Sequence, residues 1–132
     1  MVISPVFAQQ IERPFSAQNT CTTSGTGLGE RDSCYKDAIW PDDPSERPNV
    51  PWAIIPESVQ VVTLDERGTG SGCFSPRFEY EQRSVFLPEI GSNVTVGIPV
   101  RVIVSMNARS EAGIGGAPGR IACKVIGNYR SL

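Results

Sequence analysis

The chain has 132 residues and a net charge of −2, with no histidine, 11 prolines and 13 glycines. That length suits one domain, and the near-neutral balance offers no field for nucleic acid or an anionic membrane. The missing histidine removes the commonest general base, the commonest transition-metal ligand and every Ser-His or Cys-His nucleophile pair. Only two of the 12 basic residues are lysines, Lys36 and Lys124, and the arginines are scattered singly from Arg13 to Arg130. A nucleic-acid surface would cluster them.

The opening stretch, MVISPVFAQQ, has no basic start, and Pro5 interrupts its short apolar run. It does not read as an intact signal peptide. With Met1 as the start, the expectation is a protein left in the cytosol of its producer. "VISPVFA" has the composition of a short edge strand. No run of about 20 apolar residues is present to span a bilayer.

Seven of the prolines fall within residues 1–58: Pro5, Pro14, Pro41, Pro44, Pro48, Pro51 and Pro56. Each fixes φ and removes a donor, so regular ladders are not expected to run through this half. "WPDDPSERPNVPWAIIP" is expected to be extended and turn-rich, and Asp37–Trp40 to make at most one helical turn.

Residues 59–132 read differently. Val59–Leu64 is predicted to be a strand. In "CFSPRFEYEQRSVFL", Phe74, Phe78 and Tyr80 alternate with Arg77, Glu79 and Glu81, the period of a half-buried strand. In "VTVGIPVRVIVSM", Val94, Val96, Ile98, Val100, Val102, Val104 and Met106 are predicted to share one face, with Pro99 marking an edge position or a bulge. "RIACKVIGNY" closes the pattern with Ile121, Cys123 and Val125. "PEIGSN" and "NARSEAGIGGAPG" are predicted turns or loops.

These elements predict an all-β chain: a small antiparallel sandwich or barrel over residues 59–132, carrying a long extended proline-rich N-terminal arm over residues 1–58. The strand-bearing half alone is small. Below roughly 70–80 residues a lone core seldom supplies more than about 3–5 kcal/mol. The arm's apolar groups, Phe7, Phe15, Tyr35, Trp40, Trp52, Ile54 and Ile55, are therefore the candidate assembly contacts.

The four cysteines are Cys21, Cys34, Cys73 and Cys123. Zinc ligands usually come in pairs two to four residues apart, and no two of these cysteines are so close. An even count suits two intrachain disulfides, with Cys21–Cys34 closing one loop and Cys73–Cys123 tying two strands. Free buried thiols and bonds between chains stay open as alternatives. Cys73 is out of phase with an inward-facing register unless Pro76 resets it.

Other features have simpler explanations than chemistry. The glycines of "GTGLGE" and "GTGSGC" lead into no convincing helix and no P-loop lysine, as a phosphate cradle requires. Glu79 and Glu81 stand about 7 Å apart on one strand face, but Arg77 and Arg83 continue that face as a solvated charge row. Asp42–Asp43 fits a turn better than a calcium site. Tyr35, Trp40 and Trp52 are compatible with a sugar-stacking platform, and better with hydrophobic anchoring. Asn93-Val94-Thr95 matches the glycosylation tripeptide, which is common by chance.

The expected function is a non-enzymatic structural subunit, without cofactor, metal or small-molecule substrate. It would bind copies of itself and other structural proteins of one assembly, without nucleic acid or membrane. The leading form is a virion protein of a bacterial virus, such as a capsid-decorating, neck or tail component, assembled in the host cytoplasm. The alternative is a secreted or periplasmic disulfide-stapled sandwich that binds glycan or protein. An enzyme using Glu79 and Glu81 ranks last.

Overall fold

A computed structural model describes residues 11–24, 33–68, 71–110 and 117–132. They form eight strands: β1 Glu12–Thr22, β2 Ser33–Trp40, β3 Trp52–Ile54, β4 Gln60–Arg67, β5 Gly72–Cys73, β6 Arg77–Leu87, β7 Ser92–Arg109 and β8 Arg120–Ser131. Among the described residues the only helical pieces are two single 3₁₀ turns, Pro44–Glu46 and Pro56–Ser58.

Two antiparallel sheets pack face to face. In the first, β8 is central; β1 lies along one side, and β3 followed by β4 lies along the other. In the second, β7 is central, with β2 on one side and β5 followed by β6 on the other. The predicted all-β sandwich is thus the observed architecture.

Both central strands are apolar on their inner faces. Val102, Val104, Met106 and Ala108 of β7 are fully buried, as are Ile121, Cys123 and Val125 of β8. Fully burying such a side chain contributes roughly 1.5–3 kcal/mol, so these two rows anchor the fold. Phe15 of β1 and Trp40 of β2 close the core between the sheets at one end, and Ile54 of β3 joins them. Tyr129 also stacks on Trp40, at 5.1 Å between ring centroids. Gly127 of β8 lies under the Phe15 ring: a Cβ there would meet Phe15 Cζ at 2.8 Å.

The division into an arm of residues 1–58 and a domain of residues 59–132 does not describe this packing. β1, β2 and β3 are integral strands of the two sheets, and residues 1–10 lie outside the described residues. The small-core problem is solved within the chain, because the front half supplies both missing outer strands. Proline blocks less than expected. Pro14 sits on β1, whose only strand partner among the described residues is β8, where a missing N–H is tolerated. The other described prolines of this half fall between strands. Asp37–Trp40 is the end of strand β2 and not a helical turn.

All four cysteines are paired within the chain, as Cys21–Cys34 and Cys73–Cys123. The second bond ties the two sheets to each other, β5 to β8, where two strands of a single sheet were expected. Cys73 pairs opposite Met106 and Phe78 opposite Val102, two inward positions of β7. The non-strand stretch 74–76 between them resets the alternation, the role anticipated for Pro76.

Candidate functional site

The outer part of the β6–β7 hairpin extends beyond the sandwich. β2 pairs with β7 only from Val102 to Arg109, whereas β6 pairs with β7 from Ser92 to Ile103. Over residues 92–101, therefore, β7 has β6 as its only strand partner among the described residues. The turn Pro88–Gly91 closes the hairpin; the Gly91 N–H donates to the Leu87 carbonyl at 2.9 Å. Gly91 has φ 64°, a left-handed conformation that glycine adopts without a Cβ penalty. No residue from 77 to 98 is buried.

A bulge governs what this ribbon presents. The register steps from Glu79 opposite Arg101 to Tyr80 opposite Pro99, leaving Val100 as the extra residue. A one-residue shift exchanges the two faces of a strand. Val94, Val96 and Ile98 consequently stand with Val85, Arg83 and Glu81 on the outward face. They do not continue the buried row that begins at Val102. The predicted seven-residue apolar face is broken at the bulge beside Pro99, and its first half is half-exposed. Tyr80 and Phe86 occupy the other face and are each 58% exposed.

The outward face of the second sheet carries a lattice of charges. Arg77 Nη2 donates to Ser105 Oγ at 3.1 Å, and Ser105 Oγ donates to Asp37 Oδ1 at 2.7 Å. Arg101 pairs with Glu79 at 3.5 Å and Arg83 with Glu81 at 3.7 Å. These pairs are exposed, and such pairs contribute about 0–1 kcal/mol. Glu79 and Glu81 thus each face an arginine in an open, solvated row, the arrangement expected of a charged face.

Asp43 caps the 3₁₀ turn Pro44–Glu46: its Oδ1 accepts from the Ser45 N–H at 2.6 Å. Hydrogen bonding from Ser45, side chain first and backbone second, holds the Asp43 carboxyl below the usual aspartate range. The Asp42 N–H donates to Glu46 Oε2 at 3.4 Å. Turn formation accounts for both residues, and no cluster of three or more His, Cys, Asp or Glu suited to a metal occurs among the described residues.

The candidate contacts in the front half separate into four groups. Phe15, Trp40, Ile54 and Ile55 are buried in their own chain, which overturns their assignment to a neighbour. Trp52 is half-buried against the same core, and Tyr35 is exposed. Phe7 lies outside the described residues. Tyr35 and Trp40 have opposite parity on β2, so with Trp52 they form no common platform. "GTGLGE" also lies outside the described residues. Gly72 of "GTGSGC" enters strand β5 and no helix.

The sequence pattern does not single out the hairpin. Five of the large exposed apolar side chains lie between residues 74 and 90: Phe74, Tyr80, Val85, Phe86 and Ile90. Their alternation with charge was visible in the sequence, but it looked like an ordinary half-buried strand. Compared with protein-family models, with curated proteins and with solved structures, the chain matches none.

Proposed function

We propose that this chain is a non-enzymatic structural protein that docks other protein chains through the β6–β7 hairpin. The observation that carries the proposal is the hairpin's outer edge, which no described strand covers, with no buried residue from 77 to 98. Exposed strand edges recruit other chains by adding strands. Apolar side chains concentrated on such an element are a common mark of an interaction site.

The closed disulfides bear on the setting. Among the described residues, no helix is long and apolar enough to cross a membrane. Two intrachain bonds are compatible with an extracellular or periplasmic location. That favours a secreted, disulfide-stapled binding module. A virion component of a bacterial virus is the second form of the proposal. The same hairpin supports it, with the disulfides closing after release from the cytosol.

The test is the native size of protein purified from its source, followed by gels with and without reductant. The proposal expects a species larger than one chain that resolves to single chains on both gels. A free monomer without partners would contradict it.

A further inference from the structure

We infer that the outer edge of β6 pairs with β6 of a second copy, antiparallel about a twofold axis through Gln82. This rests on the hairpin being an interaction element, and it names the partner.

The edge is unusual in what it lacks. Natural edge strands are protected by proline, by charge (lysine above all), by bulges or by shortness. Here β1 carries Pro14, β2 carries Lys36, β3 has 3 residues, and β4 has a register shift between Thr63 and Asp65. β6 runs for 11 residues, Arg77–Leu87, without proline or lysine, and its charges, Arg77, Glu79, Glu81 and Arg83, balance to zero, so they repel a second copy only in some registers. Its one register irregularity places the extra residue, Val100, on β7. Among the described residues β7 is its only strand partner, and no described strand covers the opposite edge.

Charge pairing and strand overlap together select one register. A twofold axis through Glu79, Glu81 or Arg83 sets that charge against its own copy. An axis through Tyr80 sets Glu79 against Glu81 and Arg77 against Arg83, all like pairs. An axis through Gln82 sets Glu81 against Arg83 of the second copy, twice, and opposes no like charges. It also sets Phe78 against Phe86 and Tyr80 against Ser84. Gln82 is the midpoint of Arg77–Leu87, so the same axis overlaps the strands completely. Pairing residues of equal parity keeps each face on its own side. Opposite charges and aromatic pairs directly across a ladder stabilise it, and like charges destabilise it. Phe78 is half-buried at the margin of the core, so Phe86 of the second copy would extend that core. The two β7-centred sheets would become one continuous sheet with an isologous interface.

Sedimentation velocity of the full chain tests this, with Glu81→Arg and Arg83→Glu as variants. The wild-type chain should dimerise at micromolar concentration. Each variant alone opposes two like pairs and should dissociate more readily, by roughly tenfold or more. An equimolar mixture of the two variants restores both opposite pairs and should recover dimers, as should the double swap on one chain. A monomeric wild type, variants that associate normally, or a mixture that fails to recover would each overturn the inference. A chain that is monomeric alone, yet enters a larger species in source material, would sink the β6 pairing and leave the broader function standing.

Discussion

Phe15 and Trp40 stack across the two sheets, their ring centroids 4.3 Å apart and their planes 16° apart. One comes from β1 and the other from β2, so these two strands of the front half are sealed into the sandwich. Both residues are about 6% exposed. Truncating a buried aromatic costs about 3–5 kcal/mol. Phe15→Ala and Trp40→Ala should each lower urea stability by that amount under oxidising conditions. A loss below about 1 kcal/mol, the range of ordinary surface changes, would mean that the rings are not core residues.

The disulfides should contribute unequally. Cys21–Cys34 spans a sequence separation of 13 and Cys73–Cys123 one of 50. In the chain-entropy picture these correspond to about 3 and about 4 kcal/mol. Replacing both partners by alanine should therefore destabilise the chain more at Cys73 and Cys123 than at Cys21 and Cys34. Denaturant titration of the two double variants measures the order.

Asp43 gives a pH signature. Its carboxyl is held below the ordinary aspartate value by Ser45. A group depressed in the folded state contributes stability above its unfolded pKa and loses it as pH falls through the folded value. The stability gap between wild type and Asp43→Ala should hold at neutral pH and close on acidification beyond the ordinary aspartate range. An NMR titration of the Asp43 carboxyl should show a midpoint lowered in the same sense; an unshifted midpoint would remove the cap.

The sequence carried the fold class because β7 and β8 alternate strongly, with Val102, Val104 and Met106 against Ile121, Cys123 and Val125. It concealed β1 and β2 for a physical reason. Their inner faces mix large and small or charged residues, as in Cys34, Lys36, Ala38 and Trp40, so the period fades where proline already suggests a loop. The bulge at Val100 was legible in kind from Pro99. Its effect on register was not, since Val94 to Met106 is apolar at every second position on both sides of it. Cysteine pairing does not follow from spacing alone, because the phase of Cys73 depends on the break at 74–76, which the sequence marks only with Pro76. The hairpin's exposure depends on where β2 stops pairing, which no local pattern records.

Excising the outer hairpin tests the interaction role most directly. Glu81 lies opposite Ile98, so an Asn-Gly turn can join them in place of residues 82–97, with a type I′ geometry that suits such a hairpin. None of the removed residues is buried, and urea stability should change by less than about 1 kcal/mol, within the range of surface changes. Association, measured by sedimentation for self-pairing and by recovery of the larger species from source material, should be lost. A shortened chain that folds and still assembles like the full one would contradict the hairpin as the docking element.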